Sequence, residues 1–347
     1  MKLCGGRSPA LRPSERHDAM RGQLHGPWHG RARSEWLRLR QLLHEKSHSA
    51  TFADQVSAAL LEALGQCQII DRLPPLNVKI AAHAIQAAKC ALNVSRSQHT
   101  EDLLLLPSLL RAVPHGSTGQ FVELGAFDGI RFSNTLSLER CFGWTGLLIE
   151  GNPNNFRRLQ RSGRRATVVH AAVCNRTNAT VEFSVHGEHM AAQLEVMDAH
   201  HWKRVHSVTR GAGHSNNKTT SVPCQSLTAL MHSAGLAHAT FLSLDVEGSE
   251  HLVLEAVDPS IFELIMVERN FLRSDARDAR IRHRLRTSGM LLARNLVVPN
   301  SRIYVKNRRI ERAVIPRNAT HAFEYRRAVA CVKRAGSAPR ILLTRNS

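Results

Sequence analysis

Tyrosine and tryptophan are nearly missing from this chain, at 2 and 4 of 347 residues, and all aromatics together reach only 5%. Its basic stretches therefore lack interleaved aromatic rings, and no nucleic-acid motif accompanies them, so nucleic acid is not the expected partner. Long apolar runs are missing too. Even the run Leu103–Leu106 is broken by Pro107, so no segment reads as a membrane span. No apolar stretch of the signal-peptide kind is visible near the N-terminus. The chain reads as soluble, with a cytoplasmic location expected over a secretory one. Familiar metal-ligand spacing is absent as well: His186, His189, His200, His201, His206 and His214 fit no known set. They read as a solvated loop, and no metal is expected.

What the chain has in excess is positive charge, +19 in all, unevenly spread. Residues 1–48 sum to +6, residues 49–268 to −3 and residues 269–347 to +16. A near-neutral body carries two basic ends, which can attract an anionic partner or simply reflect an arginine-rich composition. Residues 1–48, interrupted by Gly5-Gly6, Pro9, Pro13 and Gly26-Pro27, read as a tail without a core-forming period. From about Ala50 to Ala112 the spacing turns helical. Val56, Leu60, Leu61 and Leu64 share one face, Ile80, Ala84, Ile85 and Ala88 another, with Pro74-Pro75 between the two helices. The domain reading is a tail over 1–48, a helical appendage over 49–118, an α/β domain over 119–310 and a basic tail over 311–347.

The α/β domain opens with QFVELGAFDG, Gln120–Gly129. A short strand, a turn between Gly125 and Gly129, and a polar helix start at Arg131–Thr135 form the arrangement that presents backbone N–H groups to a ligand. The two glycines are expected to let the backbone approach that ligand. The middle glycine of a full G-x-G-x-x-G is missing, with Phe127 near its place, which disfavours a dinucleotide pyrophosphate and hence an NAD-dependent oxidoreductase. Further strands are expected at Trp144–Glu150, Thr167–Val173, Thr240–Val246 and Leu264–Glu268, with helices at Asn155–Arg161 and Leu227–Ala234. Asn295–Val298 and Arg302–Val305 read as a terminal antiparallel hairpin. This alternation predicts a Rossmann-like, doubly wound, mostly parallel sheet. Its strands end on Glu123, Glu150, Asp245 with Glu247, and Glu268. A single acid at a strand end is often a helix cap. Four on one sheet edge predict a binding crevice.

FVELGAFDG, SNTLSLERCFGWTGLLIEGNP, FLSLDVEGSEHLVLEA and LIMVERN, in this order and spacing, resemble the FkbM family of methyltransferases over roughly Ser97–Lys306. SQHTEDLLL also resembles the lead-in of eukaryotic members. The resemblance implies the class I fold of S-adenosylmethionine-dependent methyltransferases and methylation of a hydroxyl oxygen on a small-molecule or glycan acceptor. It gives Glu123, Gly125, Asp128 and Gly129 to the cofactor's first loop and Glu150 to its ribose. Asp245 and Glu247 would line the floor near the transferring methyl and are the candidate catalytic residues. Glu250, inside the next helix, reads as a cap or surface residue. A non-catalytic domain of the same fold, recruiting an anionic partner through its basic ends, is the alternative.

Two features stand outside this reading. Cys174 and Cys224 can pair in an oxidising compartment or serve as small buried hydrophobes. Asn93, Asn175, Asn178, Asn217 and Asn318 each begin an N-x-[ST] sequon.

Overall fold

The computed structural model describes residues 51–65, 81–114, 117–176, 179–184, 191–196, 219–269, 275–294, 296, 298–311 and 329–330. Both basic tails, apart from Glu311 and the pair 329–330, and the six histidines read as a solvated loop fall outside them. The helices are α1 (Phe52–Gly65), α2 (Ala82–Val94), α3 (Glu101–Ala112), α4 (Leu136–Phe142), α5 (Pro153–Gln160), α6 (Leu227–Ser233), α7 (Glu250–Glu255) and α8 (Asp275–Thr287). The strands are β1 (Gln120–Leu124), β2 (Thr145–Glu150), β3 (Thr167–His170), β4 (Ala172–Val173), β5 (Ala179–Ser184), β6 (Thr219–Gln225), β7 (Ala239–Leu244), β8 (Phe262–Glu268), β9 (Leu291–Leu292) and β10 (Ser301–Val305).

Seven strands form one sheet in the order β3-β2-β1-β7-β8-β10-β9. The first five run parallel, and β10 is antiparallel to both β8 and β9. This is the Rossmann-like, mostly parallel architecture that the βαβ alternation predicts. The order reverses between β1 and β7, and such a switch point opens a crevice at the C-terminal strand edge.

The strands are apolar on both sides because both faces are covered. Phe121, Phe241 and Leu264 pair across β1, β7 and β8 and pack with Val56, Leu60 and Leu105 of α1 and α3. Val122, Leu242 and Ile265, one residue on, pack with Leu227, Val253 and Ile281 of α6, α7 and α8. Full burial of side chains this size is worth roughly 1.5–3 kcal/mol each. Gly146 makes room for the first row: a Cβ there would come within 2.5 Å of the Phe121 ring. The N-terminal helices thus share the core of the sheet and contribute, with Leu138 of α4 and Leu159 of α5, to one of its two covered faces.

Several local expectations are corrected. LLLLPSLL, at the end of the stretch read as helical, forms a separate third helix, α3, despite Pro107. The expected strand Thr167–Val173 divides at Ala171, β3 joining the large sheet and β4 a three-stranded sheet of order β4-β6-β5. Strands β5 and β6 were overlooked, although Val181, Phe183, Val222 and Cys224 alternate inward at period two. The terminal hairpin pairs Leu291–Leu292 with Tyr304 and Val305; Val298 makes only a single bridge to Ser301. The helix expected from Arg131–Thr135 begins at Leu136, because Ser133, Asn134 and Thr135 are turned towards Glu123. Asn152 caps α5, accepting from the Asn154 N–H at 2.9 Å, so this helix begins two residues before the expected Asn155.

Candidate active site

The geometry of the crevice follows from strand register. Leu124 pairs with Ile149 and Leu244, and Leu244 with Val267. The next residue along each strand is therefore Gly125, Glu150, Asp245 or Glu268, in one row across the sheet. One pleat further back on the same face stand Glu123, Leu148, Ser243 and Met266. Gly125 is the one member of the front row without a side chain, and the carboxylates flank its gap. Glu123, Gly125, Glu150, Asp245, Glu247 and Glu268 all line a single cavity. Its empty volume is about 1150 Å³, solvent at the mouth included, enough for a nucleoside-sized ligand.

Glu150 organises the glycine turn. One carboxylate oxygen accepts from the Phe127 N–H at 2.8 Å and the other from the Asn152 N–H at 2.7 Å. Phe127 has φ +52°, so it takes the left-handed conformation usually left to glycine. That is how the chain makes this turn without the middle glycine. Burial is the main cause that raises the Glu150 pKa to about 7, despite hydrogen bonds that oppose it.

The surrounding protein also requires glycine at both positions of the turn. At Gly125 (φ +76°), a Cβ would sit 1.9 Å from the Asp245 backbone oxygen; at Gly129 (φ +77°), 2.6 Å from Leu159 Cδ1. Both positions are restricted by neighbouring protein. Asp128 and Gly129 do not appear in the cavity wall. Asp128 instead closes the turn, accepting from the N–H groups of Ile130 and Arg131 at 2.9 and 2.7 Å.

Glu123 is held from several directions. It accepts from Ser133 Oγ at 2.9 Å, the Asn134 N–H at 2.7 Å and the Thr135 hydroxyl. Arg164 lies 3.9 Å away, its side chain fully buried and 3.1 Å from Glu139. The same guanidinium donates to Gly129 O, Ser133 Oγ and Thr135 Oγ1. Arg164 therefore locks the segment after the glycine turn onto Glu123. Burial raises the Glu123 pKa, with Arg164 acting against it.

The acids of the DVEGSE block gather tightly. Oxygens of Asp245, Glu247 and Glu268 lie within 4.8 Å of one another, a spacing open to a metal ion or to an organic cation. Burial, then the charge of Asp245 and a hydrogen bond with it, push the Glu268 pKa up to about 12, so this pair retains a proton at neutral pH. Glu247 takes a left-handed backbone with φ +54°. Glu250 is buried, contrary to its reading as a surface residue, and its pKa is raised to about 7, chiefly by burial. It accepts from the N–H groups of Val246 and Gly248 at 3.2 and 3.0 Å, so it does cap the turn.

Sequence reading missed much of the wall. Gln98, Asn134, Asn155 and Gln193 supply polar groups, and Phe127, Phe132 and Phe183 supply rings. Phe127 and Phe132 stack at 6.2 Å, with the Arg131 guanidinium over both. The SQHTEDLLL lead-in signalled Gln98, which only chain folding carries to the strand edge. Phe183 on β5 and Gln193, which bridges to it, had no comparable signal. Asn134 Oδ1, Asn152 Nδ2 and Ser249 Oγ are buried polar atoms without a hydrogen-bond partner.

Residues 123–289 match the family model described as the methyltransferase FkbM domain. No curated protein matches the chain. Among solved structures, the mitomycin 7-O-methyltransferase MmcR aligns at 12% identity over 84% of this chain and 97% of that one. The TM-score is 0.24, too low to carry an argument.

Proposed function

We propose, from the premise that residues 123–289 are a methyltransferase FkbM domain, that this chain transfers the methyl group of S-adenosylmethionine to a hydroxyl oxygen of a small molecule or glycan. The observation carrying this reading is the row of carboxylates along the C-terminal edge of the parallel sheet. Among the described residues, the charged members of the cavity lining are all acidic, and Arg164 lies behind Glu123 outside that lining. Such a wall suits a cationic sulfonium and repels a pyrophosphate. S-adenosylmethionine supplies an electrophilic methyl whose bonding electrons stay with sulfur.

The roles assigned to this chain's residues follow from their places. Glu150 accepts the Phe127 and Asn152 N–H groups and a side-chain hydrogen bond from Asn155, and its remaining acceptor capacity is assigned to a ribose hydroxyl. Gly125 keeps the floor between the carboxylates open. Asp245 and Glu247 face the acceptor as the candidate bases for its hydroxyl proton, and Glu268 holds Asp245 in place through their shared proton. Phe127 and Phe132 offer an apolar wall against water. Asp128 and Gly129 serve the cofactor by shaping the turn.

Calorimetry with S-adenosylmethionine, S-adenosylhomocysteine and NAD tests the assignment. Binding of the first two alone is expected. Silence with all three would favour the non-catalytic reading, and binding of NAD alone would overturn the acidic-wall argument. Asp245→Asn should leave cofactor affinity within a few-fold while strongly lowering turnover.

A further inference from the structure

All four cysteines among the described residues are in disulfides. Cys90 on α2 pairs with Cys141 on α4 (Cα–Cα 5.7 Å), and Cys174 after β4 pairs with Cys224 on β6 (Cα–Cα 5.8 Å). Both separations lie in the range that a disulfide spans. The bridges close 51 and 50 residues of sequence respectively. One ties an N-terminal helix to the helix that follows the glycine turn; the other ties the edge of the cavity's small sheet to its central strand. Neither is an exposed catalytic pair of the CxxC kind, so they fit the structural role that disulfides take in oxidising compartments.

The sequons supply a second, independent mark. Of the five, Asn93 and Asn175 have described positions, and both are exposed. Asn93 lies in the last turn of α2, three residues after Cys90; Asn175 directly follows Cys174. A glycan needs an asparagine whose side chain reaches solvent in the finished fold, and both meet that need. Ser95, the hydroxyl residue of the first sequon, is fully buried and donates to Asp102 Oδ1 at 2.8 Å. Transfer to Asn93 would then have to precede packing of this turn, as it does when glycans are added to a chain still being made.

We propose that Asn93 and Asn175 are N-glycan acceptors and that the chain matures in an oxidising, glycosylating compartment, in place of the cytoplasmic location expected from sequence. Reduced thiols alone would explain buried Cys174 and Cys224, though not the pairing of half-buried Cys90 and Cys141, and chance alone would explain the sequons. Disulfides and exposed sequons together have one common cause in the secretory route.

The test uses full-length protein purified from its native cells. Peptide mapping after peptide-N-glycosidase treatment in heavy-oxygen water should show Asn converted to labelled Asp at positions 93 and 175. A non-reducing map should show the Cys90–Cys141 and Cys174–Cys224 peptides linked. Asn93→Gln and Asn175→Gln should each remove one glycan's mass in those cells while the protein still accumulates. Unmodified asparagine at both positions overturns the proposal even if the disulfides are present. Free thiols at all four cysteines overturn it as well.

Discussion

Replacing Glu268 with glutamine should make this protein more stable, by an amount that grows with pH. Three carboxylates with oxygens within 4.8 Å of one another cannot all be charged cheaply: two unit charges at that distance repel by roughly 3–4 kcal/mol at an effective dielectric near 20. The fold avoids this by retaining a proton on the Asp245–Glu268 pair, with the Glu268 pKa pushed far above its ordinary 4.5 by burial and by Asp245. Retaining that proton at pH 7 costs about 1.4 kcal/mol for each pH unit above the unfolded pKa, so roughly 3 kcal/mol, and partial solvent access reduces this to about 2. Because the folded pKa is raised, the stability linked to Glu268 is fully present below about pH 4.5 and is lost progressively as pH rises towards the folded pKa. Glutamine keeps the shape and can donate to Asp245, as the protonated acid does, with no proton to retain. Urea unfolding of both proteins at pH 4.5, 6 and 7.5, followed by circular dichroism, measures the difference. Glu268→Gln should match the parent at pH 4.5 and unfold at about 1 M higher urea at pH 7.5. An equal or lower midpoint at pH 7.5, or a gain independent of pH, would refute the shared-proton argument.

Glu150→Ala should weaken S-adenosylmethionine binding by about 1.5–3 kcal/mol, roughly 10- to 150-fold in Kd by calorimetry. It should also lower the melting temperature, since the Phe127 and Asn152 N–H groups lose their acceptor; unchanged affinity would remove Glu150 from the cofactor. Gly125→Ala should cost at least about 3 kcal/mol, because its Cβ would meet the Asp245 oxygen at 1.9 Å in a left-handed backbone. Denaturant unfolding close to the parent's would mean that the β1–β7 edge yields easily. The double change Cys90→Ser with Cys141→Ser opens a crosslink spanning 51 residues, a loss of about 4 kcal/mol in the chain-entropy model. Its melting temperature should fall clearly below that of the oxidised parent and near that of the reduced one.

Sequence alone determined the parallel sheet and its acidic edge. Strands buried on both faces must be apolar at successive positions, so FVEL, GLLIE, TFLSL and LIMVE are recognisable, and an acid at the end of such a run stands out. Local chemistry was equally visible where it depends on neighbours in the chain, as with Glu250 as a cap. Tertiary structure decided what each acid does. Glu123, Glu150 and Glu250 looked alike as strand-end or helix acids. Glu123 became the anchor of Arg164 and the Ser133–Thr135 turn, Glu150 the clamp of the glycine turn, and Glu250 a buried cap. Those partners lie up to 41 residues away in sequence, as Arg164 does from Glu123, and no local pattern encodes such a pairing. The same holds for Gly125, whose freedom from a Cβ is required by a carbonyl on β7's far end, 120 residues on. Hydrophobic period and backbone propensity act along the chain, so they can be read from it. Desolvation, close approach and shared protons exist only between segments that folding has brought together.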